Sequence, residues 1–201
     1  EMPANVVKRI LTQAEPETRY LINEMLKYPE DSAGSIMTTE YVDLRPEMTA
    51  SRAIEHIRHT GIDKETVNVC YVTDAKRNLI GAVSIRSLIL SAKDDTMDKI
   101  MESHVISVTT MEDQETVAQI FAKYNFTALP VVDGENRLVG IVTVDDAIDV
   151  MQEEATEDIE KMAAITPSDK AYIRMSVLEI WKSRIPWLLL LMVSATFTGM
   201  I

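Results

Sequence analysis

The feature that most restricts the fold of this chain is an internal repeat. Residues 74–84, DAKRNLIGAVS, align without a gap with residues 133–143, DGENRLVGIVT. The segment IMTTEY, which begins at Ile36, is echoed in the same way by IMESHV, which begins at Ile100. Because self-similarity of this kind indicates one structural unit used more than once, the sequence predicts two copies of one supersecondary unit.

Each copy begins with a segment that predicts a strand followed by a helix. The predicted strands are the short apolar runs at residues 41–44 and 105–108. Thr49 and Asp113 are suited to be the N-caps of the two helices, because their side-chain oxygens accept hydrogen bonds from the free N–H groups. Apolar residues recur at helical spacing on both helices, as far as Tyr124 on the second.

Two further strands and a closing helix complete each copy. Apolar runs flank the turn AKRN in the first copy and the turn at residues 134–136 in the second, which predicts two β-hairpins. Ser84 and Thr143 then supply hydroxyls that can cap the closing helices. The sequence therefore predicts an α+β protein of two β-α-β-β-α repeats, at residues 35–95 and 96–150.

The segments that flank the repeats also predict helices. Residues 4–14 and 17–27 are amphipathic and are separated by Glu15-Pro16, with proline favoured near the start of a helix. After the repeats, a break at Thr166-Pro167 precedes a predicted helix at residues 169–184.

Composition and motifs exclude several classes of function. The net charge of −12 argues against nucleic acid as a partner, because phosphate binding needs clustered Lys and Arg. The single cysteine, Cys70, excludes an internal disulfide and a thiolate metal cluster. The sequence has no glycine-rich phosphate loop and no catalytic frame around a nucleophile, so we do not expect an enzyme.

The C-terminal run is strongly apolar. Residues 187–201, WLLLLMVSATFTGMI, contain no charged residue, and Lys182 and Arg184 come just before them. A helix that spans a membrane needs about 20 apolar residues, and basic residues mark its cytoplasmic flank. We interpret the run as the start of a truncated transmembrane helix. The alternative is a buried C-terminal helix.

Acidic side chains are concentrated in one segment. Residues 145–160 contain eight acids and no base. Four of these acids are separated by three, four and four residues, which places them on one stripe of a helix. They are Asp146, Asp149, Glu153 and Glu157. Like charges at this spacing destabilise a helix by about 0.2–0.5 kcal/mol per pair, and we expect no lysine on the helix to relieve them.

Two explanations of the acidic stripe are open. It is either a solvated face that aids solubility or a site for a hard cation. Mg²⁺ takes oxygen ligands and keeps several of its waters, so it binds through one or two carboxylates at a time. Ions between this helix and another acidic surface would hold the two surfaces together, and loss of the ions would let them separate.

The repeat unit resembles the CBS domain. The resemblance is carried by the β-α-β-β-α order and by the motif that opens each closing helix, GAVS at residues 81–84 and GIVT at residues 140–143. It covers about residues 36–150. It implies that the two copies pack as a compact pair, and that such pairs form a homodimer through their CBS domains.

Three segments outside the repeats are similar to the MgtE-type magnesium transporter family. They are YPEDSAGSIMT from Tyr28, EEATEDIEKMAAI from Glu153 and SRIPWLLLLMVSATFTGMI from Ser183. The resemblance implies a multi-pass protein of the cell membrane, of which this region is cytoplasmic and the pore domain is absent.

The same resemblance implies a role for each flanking segment. Residues 1–34 would end an N-terminal helical superhelix domain. Residues 151–185 would form an acidic connecting, or plug, helix region, and residues 186–201 would begin the first transmembrane helix. The implied function is Mg²⁺ sensing, in which Mg²⁺ bound to acidic residues favours the compact closed state that shuts the pore.

The acids that match the family's sensor positions are the implied Mg²⁺ ligands. They are Asp113, Glu115, Asp146, Asp149, Glu154, Glu157 and Asp158. One position departs from the family pattern, because the family often has an acid where this chain has Asn125. This departure puts in doubt an ion site shared between that position and Asp149.

An adenine-nucleotide-sensing CBS module is the alternative function. CBS pairs often bind adenine nucleotides, with a ribose-binding Asp three residues after the Ser or Thr of the motif. Thr143 and Asp146 match this pattern, whereas the first repeat has Ser87 at the position of the Asp. The resemblance to family members that bind ATP adds three positions. They are Tyr41, Arg58 and Phe126.

These three positions also have a chemical rationale. Aromatic rings can enclose a purine, and an arginine can meet phosphate. The alternative for Tyr41 and Phe126 is a place in the core.

Three classes of protein remain open from the sequence: an ion-sensing transporter region, a nucleotide-binding regulatory module and a soluble interaction domain.

Overall fold

The computed structural model describes residues 28–162 together with residues 185, 188, 189, 192, 195 and 196. The helices predicted at residues 4–14, 17–27 and 169–184 lie outside the described residues. The chain divides into two compact units, residues 1–150 and residues 151–201. All six described strands belong to the first unit.

Both repeats show the predicted order of strands and helices. The first consists of α1 (Ala33–Ile36), β1 (Asp43–Leu44), α2 (Ala50–Thr60), a 3₁₀ turn (Gly61–Asp63), β2 (Val69–Thr73), β3 (Leu79–Ser84) and α3 (Ile85–Leu90). The second consists of α4 (Met97–Ile100), β4 (Val108–Thr109), α5 (Gln114–Tyr124), β5 (Ala128–Val132), β6 (Leu138–Thr143) and α6 (Val144–Met162). The prediction of two β-α-β-β-α units in an α+β fold is therefore confirmed.

Each repeat forms one three-stranded sheet. The strand orders are β1-β2-β3 and β4-β5-β6, with the first pair parallel and the second pair antiparallel in both sheets. The hairpins carry irregularities at equivalent places, between Val72 and Thr73 and between Val131 and Val132. The internal symmetry of the sequence therefore extends to the register of the strands.

The first strand of each sheet is shorter than predicted. The predicted strands at 41–44 and 105–108 are reduced to Asp43–Leu44 and Val108–Thr109. The reason is that Tyr41 and Val105 pack in one apolar cluster that joins the two repeats. The backbone before each strand thus follows the opposite repeat rather than its own sheet.

The predicted helix caps are largely confirmed. Thr49 accepts a hydrogen bond from the Arg52 N–H, and Asp113 accepts one from the Glu115 N–H. Ser84 caps α3 in the same way, through the N–H of Ser87 at 3.0 Å. These side chains satisfy N–H groups that have no partner within the helix.

The two hairpin turns are built around an aspartate and a residue with a left-handed backbone. Asp74 accepts hydrogen bonds from the backbone N–H groups of Lys76 and Asn78, and Asp133 has the same role in the second turn. The positive φ angles belong to Arg77 (69°) and Asn136 (62°). No glycine among the described residues has a positive φ, so the predicted turn at 134–136 uses Asn136 and not Gly134 for this conformation.

The segment that precedes each repeat's first strand crosses to the other repeat. Thr38 exchanges two backbone hydrogen bonds with Ile141 of β6, at 2.8 and 2.9 Å. Glu102 exchanges the equivalent pair with Ala82 of β3, at 2.9 and 3.0 Å. Strands β3 and β6 each have one edge that is unused within their own sheet, and the crossing segments occupy those edges.

Apolar side chains from each repeat also pack against the other repeat. One core of the first repeat includes the fully buried Met97 and the partly buried Met101, which precede the second repeat's sheet. A second cluster joins the repeats, with Tyr41, Tyr71 and Leu79 from the first and four residues from the second. Those four are Ala128, Val132, Leu138 and Ile141. The two repeats therefore share their cores.

Candidate functional site

The predicted nucleotide residues of the second repeat lie on adjacent backbone segments. Strand β5 pairs with β6 so that Ala128 lies opposite Thr143. Beyond this pair, the Val144 N–H donates to the Thr127 carbonyl at 3.2 Å. The start of α6, which carries Asp146, is thereby held against the segment that carries Phe126.

Thr143 and Asp146 form a direct side-chain contact. The Thr143 hydroxyl is buried and donates a hydrogen bond to the Asp146 carboxylate. The Thr143 hydroxyl, which was predicted to cap the helix, therefore donates to the Asp146 side chain. Asp146 itself is only partly buried. A carboxylate held at the first turn of a helix is fixed in place and accepts hydrogen bonds from hydroxyl groups, as a ribose would provide.

An aromatic pair lies at the C-terminal end of α5, just before Thr127. The rings of Tyr124 and Phe126 are stacked, with centroids 5.4 Å apart and planes 17° from parallel. Lys123 places its ammonium nitrogen 5.0 Å from the centroid of the Tyr124 ring. The helical spacing of the sequence put Tyr124 on the apolar face of α5, but the residue is 44% exposed.

The backbone at the end of α5 explains the position of Tyr124. Asn125 ends the helix in a left-handed conformation, with φ of 54° and ψ of 41°, and its N–H donates to the Phe121 carbonyl. The chain therefore turns away from the helix axis directly after Tyr124. Asparagine tolerates this conformation better than most residues, which gives Asn125 a structural role.

The equivalent place in the first repeat has the same backbone and different side chains. The Ile85 N–H donates to the Asn68 carbonyl at 2.9 Å, as Val144 does to Thr127. The Ser84 and Ser87 hydroxyl oxygens are 2.8 Å apart. Ser87 offers no carboxylate here, and at most one complete ribose site stays a prediction.

The other two predicted nucleotide residues lie elsewhere in the first repeat. Tyr41 is buried, and its hydroxyl donates to the Leu138 carbonyl at 3.1 Å and accepts from Arg77 at 2.7 Å. Burial raises the pKa of the Tyr41 hydroxyl, and the hydrogen bond from Arg77 partly opposes that rise. This is the position of a core residue. Arg58 is exposed near the end of α2.

The two hairpin turns are hydrogen-bonded to each other, a contact that the sequence did not predict. The Leu138 N–H donates to the Arg77 carbonyl at 2.9 Å, and the Leu79 N–H donates to the Asn136 carbonyl at 3.0 Å. The Arg77 and Asn136 side chains also donate to the opposite leucine carbonyls. The signal available in the sequence was the alignment of Arg77 with Asn136, since asparagine favours a left-handed turn.

The predicted Mg²⁺ ligands of α5 are at its N-terminus. Asp113 and Glu115 are both exposed. One Asp113 oxygen accepts the Glu115 N–H at 2.8 Å, so Asp113 also serves as the cap. One Glu115 oxygen accepts from the Gln119 amide at 3.2 Å.

The remaining predicted ligands lie on the long helix α6. Asp146 and Asp149 are in its first turns, within the first unit, and Asp149 is exposed. The others follow in the second unit, with Asp158 exposed and Glu154 and Glu157 partly buried. Within the described part of the chain, no three His, Cys, Asp or Glu residues form a group that could hold a metal ion.

One expectation about the acidic helix is wrong. Lys161 lies on α6 and its ammonium nitrogen is 2.7 Å from a Glu157 carboxylate oxygen, four residues earlier. This contact raises the pKa of Lys161. Lysine therefore does relieve part of the repulsion, because α6 continues to Met162 and so includes Lys161, which directly follows the acidic stretch.

The chain belongs to the family of CBS-domain proteins. The CBS domain model matches residues 33–94 and again residues 97–153, which together are more than half of the chain. The tandem CBS pair predicted from the repeat is thereby confirmed.

Two relatives that match over more than nine tenths of the chain are magnesium transporters. The sequence is 41% identical over 194 residues to the magnesium transporter MgtE of Thermus thermophilus, covering 96% of this chain and 43% of the relative. It is 38% identical over 195 residues to that of Bacillus subtilis, covering 95% and 42%. The chain spans less than half of these relatives. The resemblance to the MgtE family is confirmed, and these relatives are transporters and not enzymes.

Two solved structures extend the similarity to three dimensions. The cytosolic domain of the Mg²⁺ channel MgtE in complex with ATP has a TM-score of 0.72 and 44% identity, covering 75% of this chain and 60% of that one. The soluble part of a magnesium transporter has a TM-score of 0.75 and 38% identity, covering 76% and 60%. The fold described above is therefore that of an MgtE cytosolic region.

The expectation of a truncated transmembrane helix falls mostly outside the described residues. Residues 185, 188, 189, 192, 195 and 196 are helical. Over the part of the chain that the structure describes, no helix has the length and apolar character that a membrane crossing requires.

Proposed function

We propose that this chain is the Mg²⁺-sensing regulatory region of a magnesium transporter. The observation that carries the proposal is a continuous helix, α6, that leaves the second CBS repeat and carries acidic side chains along most of its length. Relatives that are magnesium transporters support the same conclusion.

The physical basis of sensing is repulsion between carboxylates. Lys161 is the only basic residue of α6, against eight acids. Hydrated Mg²⁺ ions that bridge α6 and a second acidic surface would remove this repulsion and favour a compact state. Loss of the ions would favour separation. In the transporter, the compact state would be the one that shuts the pore.

The proposal includes an architecture for the whole protein. Residues 1–34 would end an N-terminal helical domain, and residues 35–95 and 96–150 would be the CBS repeats. Residues 151–185 would form the connecting helix region, and residues 186–201 would enter a multi-pass pore domain in the cell membrane. The CBS pairs of two copies would form a homodimer, with the present region in the cytoplasm.

Limited proteolysis tests the sensing function. Mg²⁺ is expected to slow cleavage of the wild-type chain relative to the same digestion with a chelator. A variant that combines Asp149→Asn, Glu154→Gln and Glu157→Gln is expected to lose the Mg²⁺ effect. A matched control, Asp63→Asn with Glu65→Gln, removes two exposed acids outside the predicted set and is expected to keep it. Equal digestion of the wild type with and without Mg²⁺ would contradict the proposal.

A second function, adenine-nucleotide binding, is supported by the contact between Thr143 and Asp146. A related MgtE domain has been solved in complex with ATP. We propose that the second repeat binds the ribose of an adenine nucleotide through Asp146. Calorimetry with ATP tests this, and Asp146→Asn is expected to weaken binding about tenfold or more, as for a lost hydrogen bond to a charged group. Absence of heat with the wild-type chain would remove this function.

A further inference from the structure

The segment that leads into the first repeat is fastened to the start of α5 through the backbone. Three hydrogen bonds make the contact: the N–H of Gln114 donates to the carbonyl of Asp31 at 2.8 Å, that of Ala33 to Glu112 at 2.7 Å and that of Gly34 to Thr110 at 2.9 Å. This contact between residues 31–34 and residues 110–114 is termed the α5 joint. It ties the entrance of the first repeat to the helix that carries two of the predicted Mg²⁺ ligands.

The internal repeat provides a second joint of the same kind. Residues 95–98 are tied to the start of α2 by three equivalent bonds: Ala50 donates to Asp95 at 2.8 Å, Met97 to Met48 at 2.9 Å and Asp98 to Pro46 at 3.1 Å. Ala50 is buried and stands where α5 has Gln114. Because this α2 joint forms with an alanine at that place, the fold does not require an amide side chain there.

Gln114 adds a side-chain hydrogen bond for which Ala50 has no donor. The Gln114 amide nitrogen donates to an Asp31 carboxylate oxygen at 3.3 Å, and Gln114 is buried whereas Asp31 is exposed. Asp31 has a left-handed backbone, with φ of 61°, whereas the equivalent Asp95 does not. A non-glycine residue persists in this conformation where the surrounding contacts hold it. The α5 joint therefore fixes a carboxylate at the start of the helix.

The fixed carboxylate is close to two others. Asp31 is bonded to Gln114, which stands between the exposed acids Asp113 and Glu115. Like charges on neighbouring residues repel, and exposed charges act over about 8–10 Å in physiological salt. The repulsion opposes the contact that brings Asp31 to the helix. Among the residues that the structure describes, no three such groups could hold one metal ion, so Asp31 acts on the joint through its charge and not as a ligand.

We propose that the α5 joint is a charge-sensitive contact, in which Gln114 is a positioning residue for Asp31 and Mg²⁺ bound by Asp113 and Glu115 strengthens the joint. This inference rests on the proposed Mg²⁺-sensing function. Without the cation, the three carboxylates repel and the joint opens more often. With the cation, the repulsion is offset and the segment that leads into the first repeat is held more firmly. By linkage, a closed joint raises the affinity for the cation by the same factor.

Hydrogen exchange of the full chain tests the proposal at the amides of Ala33 and Gly34, which donate across the joint. MgCl₂ is expected to slow their exchange about threefold relative to a chelator, as for two relieved pairs of exposed like charges. Asp31→Asn keeps a side-chain acceptor and tolerates the left-handed backbone, so it is expected to slow exchange by a similar factor without Mg²⁺, and Mg²⁺ to add little. Gln114→Ala is expected to speed exchange about fivefold in both conditions.

The outcomes separate this inference from the sensing function. Loss of the Mg²⁺ effect in Asp31→Asn, with the effect kept in the matched control Asp95→Asn at the α2 joint, supports the proposal. An equal Mg²⁺ effect in the wild type and Asp31→Asn overturns it, and so does unchanged exchange while Mg²⁺ still slows proteolysis. If Mg²⁺ changes neither exchange nor proteolysis, both proposals fail. Exchange in Gln114→Ala as slow as in the wild type overturns the positioning role, and melting temperatures show whether faster exchange comes from global unfolding.

Discussion

Gly140→Ala introduces a single methyl group at the place where the first repeat's leading segment crosses onto β6. A Cβ atom at this position would lie 2.7 Å from the Met37 sulfur and 2.9 Å from the Thr38 carbonyl oxygen. Both atoms belong to the crossing segment, which also exchanges two hydrogen bonds with Ile141. The substitution therefore forces that segment away from the strand it pairs with.

The expected cost follows from what can move. Extra methylenes in a packed core cost about 1–3 kcal/mol. At Gly140 one of the opposed atoms is a backbone oxygen, so we expect a loss of about 2–3 kcal/mol in the free energy of unfolding. At the equivalent Gly81, the three atoms nearest to a Cβ all belong to the Met101 side chain, the nearest being its sulfur at 2.5 Å. That side chain can adjust, and we expect Gly81→Ala to cost about 1 kcal/mol.

Denaturant unfolding followed by circular dichroism measures these values. The double variant Gly140→Ala with Met37→Ala measures the interaction free energy between the two positions, because Met37→Ala removes the side-chain atom nearest to the new Cβ. We expect Gly140→Ala to cost at least about 1 kcal/mol less in the Met37→Ala background, as for residues in direct contact. Additive losses, or a Gly140→Ala variant as stable as the wild type, would refute the crossing contact.

Three further predictions concern the shared core and the turns. Tyr71→Phe is expected to leave stability unchanged or raise it by about 1 kcal/mol, because the Tyr71 hydroxyl is buried and no described group hydrogen-bonds to it; thermal unfolding measures this. Arg77→Ala is expected to cost about 1–2 kcal/mol in denaturant unfolding, because it removes the hydrogen bonds from the guanidinium to the Tyr41 hydroxyl and the Leu138 carbonyl. Arg77→Asn is expected to stay within about 0.5 kcal/mol, since the amide of the equivalent Asn136 donates to the Leu79 carbonyl and asparagine tolerates the left-handed turn. Hydrogen bonds from Asn78 lower the pKa of Asp74, so its stabilising contribution is present above the ordinary value of 3.8 and is lost as pH falls through the lower folded value. Acid unfolding of Asp74→Ala is expected to show a shallower dependence on pH in that range.

Each of these predictions has a result that would contradict it. A clear loss of stability in Tyr71→Phe would mean that the hydroxyl has a partner. Equal losses in Arg77→Ala and Arg77→Asn would mean that the side-chain amide does not replace the guanidinium. An unchanged acid transition in Asp74→Ala would mean that the turn carboxylate has the same pKa in the folded and unfolded chain.

Local elements followed directly from the sequence because their causes are local. The hydroxyl or carboxylate of a cap reaches an N–H two or three residues away, so Thr49, Ser84 and Asp113 were identified from the chain alone. Thr143 and Asp146 were matched to a ribose-site pattern, and the three-residue step between them spans about one helical turn, which explains the contact that the structure shows. The pairing of the hairpins followed from the repeat.

The position of Tyr124 shows where local reasoning ends. Helical periodicity continued the apolar face of α5 to this residue, but periodicity carries no information about where a helix stops. The left-handed backbone of Asn125 ends the helix and leaves the ring stacked on Phe126. Lys161 is the opposite case, because α6 continues past the acidic stretch and Lys161 pairs with Glu157 on the same helix.

The amino-acid sequence by itself determined that this protein is a tandem repeat with one strongly acidic helix, because repetition, periodicity and charge are properties of residues in order. Only the tertiary structure decided which repeat each leading segment joins. Thr38 and Glu102 pair with the opposite sheets, because the free edges of β6 and β3 offer them unpaired backbone groups there. Such a choice depends on which edge is open in space, and no spacing along the chain records it.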